Sequence, residues 1–278
     1  MLPEDALDRL VDGSNEIANL CRKNKVQQWE IVAMQSYGHQ LDIEAGKISL
    51  AAGGGDGGYG IRVVEDGKFG YAHLVDLKSA DKAIQQAMSI ARISPSIKGF
   101  TLPSNQDAGE VKGLFDKKIL SIGPEDLLEQ ADSILNEVSS LDKRAVVTGG
   151  GLGVSATAGV LTSSEGIDHH GITTSHGLGV QVSIDENDQL TSSWQGESSK
   201  KLIEVIPNCV AKSVEWAQKT RDPIKVDNGA EDLPVLMTSE GIGSLFSIVI
   251  PSAIRGERLA RMESFWSGKQ GQHVLADD

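Results

Sequence analysis

The greatest concentration of metal-ligand side chains in the chain is Asp168, His169, His170 and His176. Imidazoles and a carboxylate can hold a divalent ion when the backbone aims them at one point. On a strand, alternate residues face opposite sides, so His170 and His176 share a face while His169 points away. A metal centre also needs a further ligand and groups that orient each imidazole. The residues alone therefore favour solvated turn histidines over a metal site. His273, near the end of the sequence, forms no ligand pattern. Nucleophilic catalysis is no better supported. Ser163 and Ser164 lack the small-residue elbow that exposes a catalytic serine, and Cys21 sits on the face of an amphipathic helix. Glu240, at a helix start, is explained by the helix dipole. The run Gly53-Gly54-Gly55-Asp56-Gly57-Gly58 suggests a phosphate loop, but a phosphate cradle opens directly into a helix and carries Lys and Ser/Thr at fixed spacing. Here a strand follows. The run is expected to be a mobile strand connection with room beside it for a partner chain.

The elements that must position these residues are clearest over residues 57–92. Ile61 and Val63 alternate with Arg62 as on a half-buried strand, Asp66-Gly67 suits a tight type I′ turn, and Phe69 and Tyr71 continue the alternation. Beyond Asp76 and Ser79, both suited to N-caps, Ala80, Ala83, Ile84, Ala87, Met88 and Ala91 form a narrow apolar helical stripe. Upstream, residues 6–25 read as a helix that Gly13-Ser14 could break, and 29–35 and 40–50 read as two strands joined through Tyr37-Gly38-His39. Residues 94–123 are rich in Pro, Ser, Gly, Asp and Lys. They read as a linker. Pro124 opens a helix bearing Leu127, Leu128, Ala131, Ile134, Leu135 and Val138 on one face. Strands are expected at 145–148, 153–161, 178–184 and 189–194, and a helix from 199 to 219. Near the end come a short strand at 233–237, a cap at Ser239, and an apolar helix that Pro251 ends or kinks.

The length of 278 residues suits two or three packed units, and 31 glycines point to a chain rich in turns. The net charge is −13 and the isoelectric point about 4.9. No window gathers the Lys and Arg needed to track a phosphate backbone, so direct nucleic-acid binding is not expected. No apolar run approaches the roughly 20 residues of a membrane helix, and the amino terminus lacks a basic region followed by an apolar one. A cytoplasmic location with no membrane partner follows as the expectation. Cys21 and Cys209 lie on separate predicted helices among apolar neighbours and are expected to be reduced.

The order of Gly-rich lead, G-I-R-V, D-G-K-F-G-Y-A, acidic turn and alanine-rich helix ending I-A-R resembles the TldD/PmbA family. The phrase T-S-S-E-G at 162–166 and the stretch from Pro234 onward are similar to that family too. The resemblance implies an α+β fold with helix-flanked antiparallel sheets. It divides the chain into an amino-terminal domain at 1–98, a linker at 99–123, a middle domain at 124–222 and, at 233–278, the beginning of a β-rich carboxyl-terminal domain that looks truncated. It also implies a metalloprotease of peptide maturation. TldD-like chains carry H-E-x-x-x-H on the helix after the strand that corresponds to 233–237, where two imidazoles on one face hold zinc. The matching stretch here, from Ser247 to Arg255, contains no His, Glu, Asp or Cys. The resemblance thus points to the PmbA-like branch: no metal, cofactor or catalytic residue is assigned to this chain, and its expected partners are a zinc-bearing TldD-like subunit, or another copy of itself, and an extended peptide. A homo-oligomeric scaffold of the same fold is the alternative. The apolar helix at 242–250 is expected in the core or at the pairing surface.

Overall fold

A computed structural model describes residues 2–97, 99–105, 109, 111–187, 189–206, 208–221, 223–225 and 235–274. The chain divides into two compact units, Met1–Pro223 and Ile224–Asp278.

The first unit opens with helix α1 (Ala6–Lys23), which has Asp8 in its first turn and Arg22 and Lys23 in its last, an order that matches the helix dipole. Gly13 and Ser14 do not break it. Both are buried, and the missing Cβ of Gly13 is the space taken by the Tyr59 phenol. The two strands expected next are one continuous strand, β1 (Gln28–Glu44), and Tyr37-Gly38-His39 lies in its middle. The chain reverses instead at Ala45-Gly46, where both residues have positive φ (48° and 73°), as a two-residue hairpin turn requires. Strand β2 (Lys47–Glu65) returns along β1 and contains the whole glycine run, Gly53 to Gly58, paired residue by residue with His39 to Met34. The expected mobile connection is therefore strand. Asp66-Gly67 makes the predicted turn, with φ of 53° and 72°, into β3 (Lys68–Leu74), and α2 (Ala80–Ile93) buries the predicted alanine stripe.

The connecting segment that follows includes a short 3-10 turn, Lys117–Ser121, and leads into α3 (Pro124–Leu141), whose Asp126 carboxylate accepts from Gly123 N at 2.8 Å. Strand β4 (Ala145–Ser163) joins the two shorter strands expected there, and a register slip between Val147 and Gly149 replaces the expected interruption. Strands β5 (Asp168–Glu186) and β6 (Gln189–Ser199) complete the meander, and α4 (Asn208–Lys219) follows. The helix expected from Ser199 thus starts late. Residues 200–203 make sideways bonds instead: Lys200 O accepts from Thr174 Oγ1 (2.8 Å), Leu202 N donates to Asp116 (3.0 Å) and Ile203 N donates to His176 Nδ1 (3.0 Å). Side chains that capture backbone groups in this way compete with the helical ladder.

All six strands form one antiparallel sheet in the order β3-β2-β1-β4-β5-β6. This corrects the expectation of separate sheets in the first and middle domains, because β1 and β4 pair from Glu30–Ser163 to Glu44–Gly149. Alternation decides which face is covered: Ile31, Ala33, Leu41 and Ile43 are buried, while Val32 and Met34 are 42% and 49% exposed. Two cores lie on the covered face. One joins α1 and α2 to β1–β4, and the other joins α3 and α4 to β1, β4 and β5.

The second unit contains α5 (Ser239–Ile254), where Thr238 Oγ1 accepts from Gly241 N at 3.2 Å, and α6 (Gly256–Ala260). Pro251 sits inside α5, and the helix runs on to Ile254. Ser264 Oγ ties the next segment back to Ala253 O at 2.7 Å. Of the expected strand at 233–237, Leu233 and Pro234 lie outside the described residues, and residues 235–237 are not strand. No strand forms among the described residues of this unit, 224–225 and 235–274.

Candidate functional site

With α1–α4 on one face of the sheet, the other face shows what its own side chains supply. Register groups them in rows across the strands. One row is Asp56–Ser36–Thr157–Thr173, the next Gly54–Gly38–Ser155–Ser175, then Ala52–Gln40–Gly153–Gly177–Ser198, and last Leu50–Asp42–Gly151–Gly179–Gly196. Glycine and serine thus fill the centre of this face. A groove of about 890 Å³ lies over these rows. At Gly38 the reason for glycine is direct: an added Cβ would stand 2.6 Å from Val154 O on the neighbouring strand.

Polar groups rim the groove. Ser36 Oγ and Thr157 Oγ1 bond at 2.8 Å, and Gln40 Nε2 donates to Asp42 Oδ1 at 2.7 Å. The Asp42 carboxylate lies against Gly151, where a Cβ would come within 3.1 Å of Oδ1. Trp194, 58% exposed, lays its indole over Gly179, the register partner of Gly151. Two carboxylates on this face, Asp42 and Asp56, belong to residues that line the groove, and no Lys or Arg is among the described lining residues. Such a surface suits a flat or extended ligand and disfavours an anionic one.

The histidine cluster expected from the sequence is not assembled. Asp168, His169 and His170 are exposed at the start of β5, whereas His176 is 1% exposed beneath the sheet. His176 Nδ1 accepts from Ile203 N, so its Nε2 carries the proton and donates to Gln130 Oε1 at 3.1 Å. Burial pushes its pKa below the ordinary histidine value. It is a neutral structural histidine. Ser163 Oγ accepts from the backbone of Glu165 and Ile167, and Ser164 Oγ accepts from Trp29 N, so both hydroxyls shape the turn before β5. Cys21 and Cys209 are buried thiols; burial pushes Cys21 up to about 12 and raises Cys209 as well. Glu240 is the second residue of α5, and His273 is exposed after α6. Among the described residues no three His, Cys, Asp or Glu side chains come together. The stretch Ser247–Arg255 lies on α5 and its end, and its hydroxyl, aliphatic and guanidinium side chains do not fit a zinc ion. Sequence reasoning missed the groove because its floor consists of glycines that also break strand patterns.

Residues 29–91 match PmbA/TldA metallopeptidase domain 1. Over that stretch the chain is similar to the TldD/PmbA family. Among its relatives, the uncharacterized protein MJ0231 of Methanocaldococcus jannaschii is 23% identical over 249 residues, which is 90% of this chain and 56% of that protein. The crystal structure of TldE from Thermococcus kodakarensis superposes with a TM-score of 0.80 at 23% identity, covering 91% of this chain and 58% of that one. A Thermotoga maritima protein described as a candidate modulator of a DNA gyrase gives 0.76 at 18% identity, covering 94% of this chain and 59% of that one. These TldD/PmbA-like structures share the α+β fold, and the chain spans a little over half the length of the relatives it matches. No helix among the described residues is long and apolar enough to cross a membrane.

Proposed function

We propose that this chain is a metal-free, PmbA-like subunit of a TldD/PmbA-type metalloprotease, which holds an extended peptide in the groove while a zinc-bearing chain cuts it. The observation that carries the reading is a contrast within one chain. A built groove lies on the sheet, and the helix that bears the metal ligands in TldD-like relatives offers none at Ser247–Arg255. Hydrolysis then requires a second molecule, and this chain contributes binding and architecture. The two buried, free thiols suit a reducing compartment, the cytoplasm. Self-association into a scaffold is a second reading, supported by exposed Val32, Met34 and Tyr71 on the uncovered face.

The test is coexpression with a relative that carries H-E-x-x-x-H, followed by metal analysis and a peptidase assay. The chain alone is expected to hold no stoichiometric zinc and to cleave nothing, while the pair cleaves peptides and a chelator stops it. One tightly held zinc on the purified chain, with chelator-sensitive cleavage, would overturn the proposal.

A further inference from the structure

The last row of the groove floor places two unlike side chains over adjacent glycines. Asp42 comes from β1 and lies against Gly151 of β4; Trp194 comes from β6 and lies over Gly179 of β5. Gly151 and Gly179 are register partners on neighbouring strands, and such strands run about 5 Å apart. A carboxylate and an indole face therefore stand side by side above a floor without side chains. Asp42 forms no ion pair with a described residue, and its near polar neighbour is the Gln40 carboxamide at 2.7 Å. An indole face attracts cations through its quadrupole, and guanidinium groups stack on it well. A carboxylate beside the ring adds charge-assisted hydrogen bonds.

We infer that Asp42 and Trp194 form a seat for a cationic side chain, so that the groove selects an extended peptide carrying Arg or Lys. The inference rests on the peptide-holding reading above and adds the substrate class. Charge supports it at two scales: the groove face carries the carboxylates of Asp42 and Asp56, the described lining residues include no Lys or Arg, and the chain as a whole carries −13. An acidic protein concentrates basic ligands near its surface at low ionic strength. Backbone groups in the middle of a sheet are already paired, so the floor offers a peptide room to lie but no main-chain ladder. Selectivity must then come from the side chains that stand above it.

Fluorescence anisotropy with labelled Gly-Ser-Gly-Arg-Gly-Ser-Gly, and with the same peptide bearing Glu in place of Arg, tests the seat on the full chain. The Arg peptide is expected to bind at least about tenfold more tightly at low salt, with the gap narrowing as salt rises. Asp42→Asn and Trp194→Ala should each cost about tenfold for the Arg peptide and leave the Glu peptide unchanged. Trp194→Phe, which keeps a ring, should cost less than Trp194→Ala, and Asp42→Lys should reverse the preference. Thermal unfolding of each variant confirms that the fold is kept. Equal affinity for the two peptides, or variants without effect, would overturn the seat and leave the peptide-holding reading intact. If neither peptide binds the chain, alone or with its zinc-bearing partner, the peptide-holding reading fails with it. Binding of a neutral oligosaccharide in preference to the Arg peptide would also overturn the seat.

Discussion

His176 shows how a residue type that suggests chemistry can serve structure. It is buried, with Nδ1 committed to Ile203 N and Nε2 to Gln130, so the neutral ring joins β5 to α3 and to the segment before α4. Its pKa is lowered by burial, so the unfolded chain takes up a proton at a higher pH than the folded chain does. The stability due to the neutral ring is therefore complete above about pH 6.5 and falls as the pH drops through that value toward the lower folded pKa. Urea unfolding at pH 7.5 and pH 5.5 should show the wild type losing more stability than His176→Gln, with a slope of at most about 1.4 kcal/mol per pH unit. Equal losses would mean that His176 does not titrate as argued. Sequence alone could place His176 on one face of a strand, but not whether Gln130, 46 residues away, would meet it. Gly70 gives a second test. A methyl there would run into Ala87 O of α2, so Gly70→Ala should destabilise by about 1–3 kcal/mol in the same assay. An unchanged midpoint would show that α2 can shift away at no cost.

Elements with strong local signals were legible in the sequence. The hairpin at Asp66-Gly67 and α2 were readable because turn chemistry and helical spacing agree there, and α3 was readable from its proline start and apolar stripe. The long strands were not. Ala45-Gly46 lacks the Asn or Asp that marks a tight turn, while Gly38, Gly53 to Gly58 and Gly149 to Gly151 look like breaks although all lie within strands. Tertiary pairing overrides the local preference wherever a side chain would collide with the next strand. The start of α4 was hidden for the opposite reason: the apolar pattern of 202–206 resembles a helix, but long-range bonds fix that segment otherwise. Thr174 is central to this, because Oγ1 donates to Lys200 O and accepts from Asp116 N at 2.9 Å while 1% exposed. Thr174→Val keeps the shape and strands both partners, so a loss of about 1–3 kcal/mol is expected. Easier proteolysis in 111–121 and 200–206 should accompany it. A variant with wild-type stability and proteolytic pattern would contradict this role for the hydroxyl.

Across the first unit, alternation within β1 decides the architecture: four helices cover one side of a six-stranded sheet, and the other side forms a groove floored by glycine. The likeness to the TldD/PmbA family was legible from 57–92, within the stretch 29–91 that matches PmbA/TldA metallopeptidase domain 1, whereas the groove, assembled from five strands far apart in sequence, was not. The central claim is that hydrolysis requires a second chain and that this one supplies a surface. Native mass spectrometry of the chain alone and of the coexpressed pair, with zinc counted in each species, tests it directly. The account predicts no zinc on the chain by itself, and an assembled pair with one zinc that belongs to the partner. A zinc-loaded complex made only of this chain, active on peptides, would contradict it.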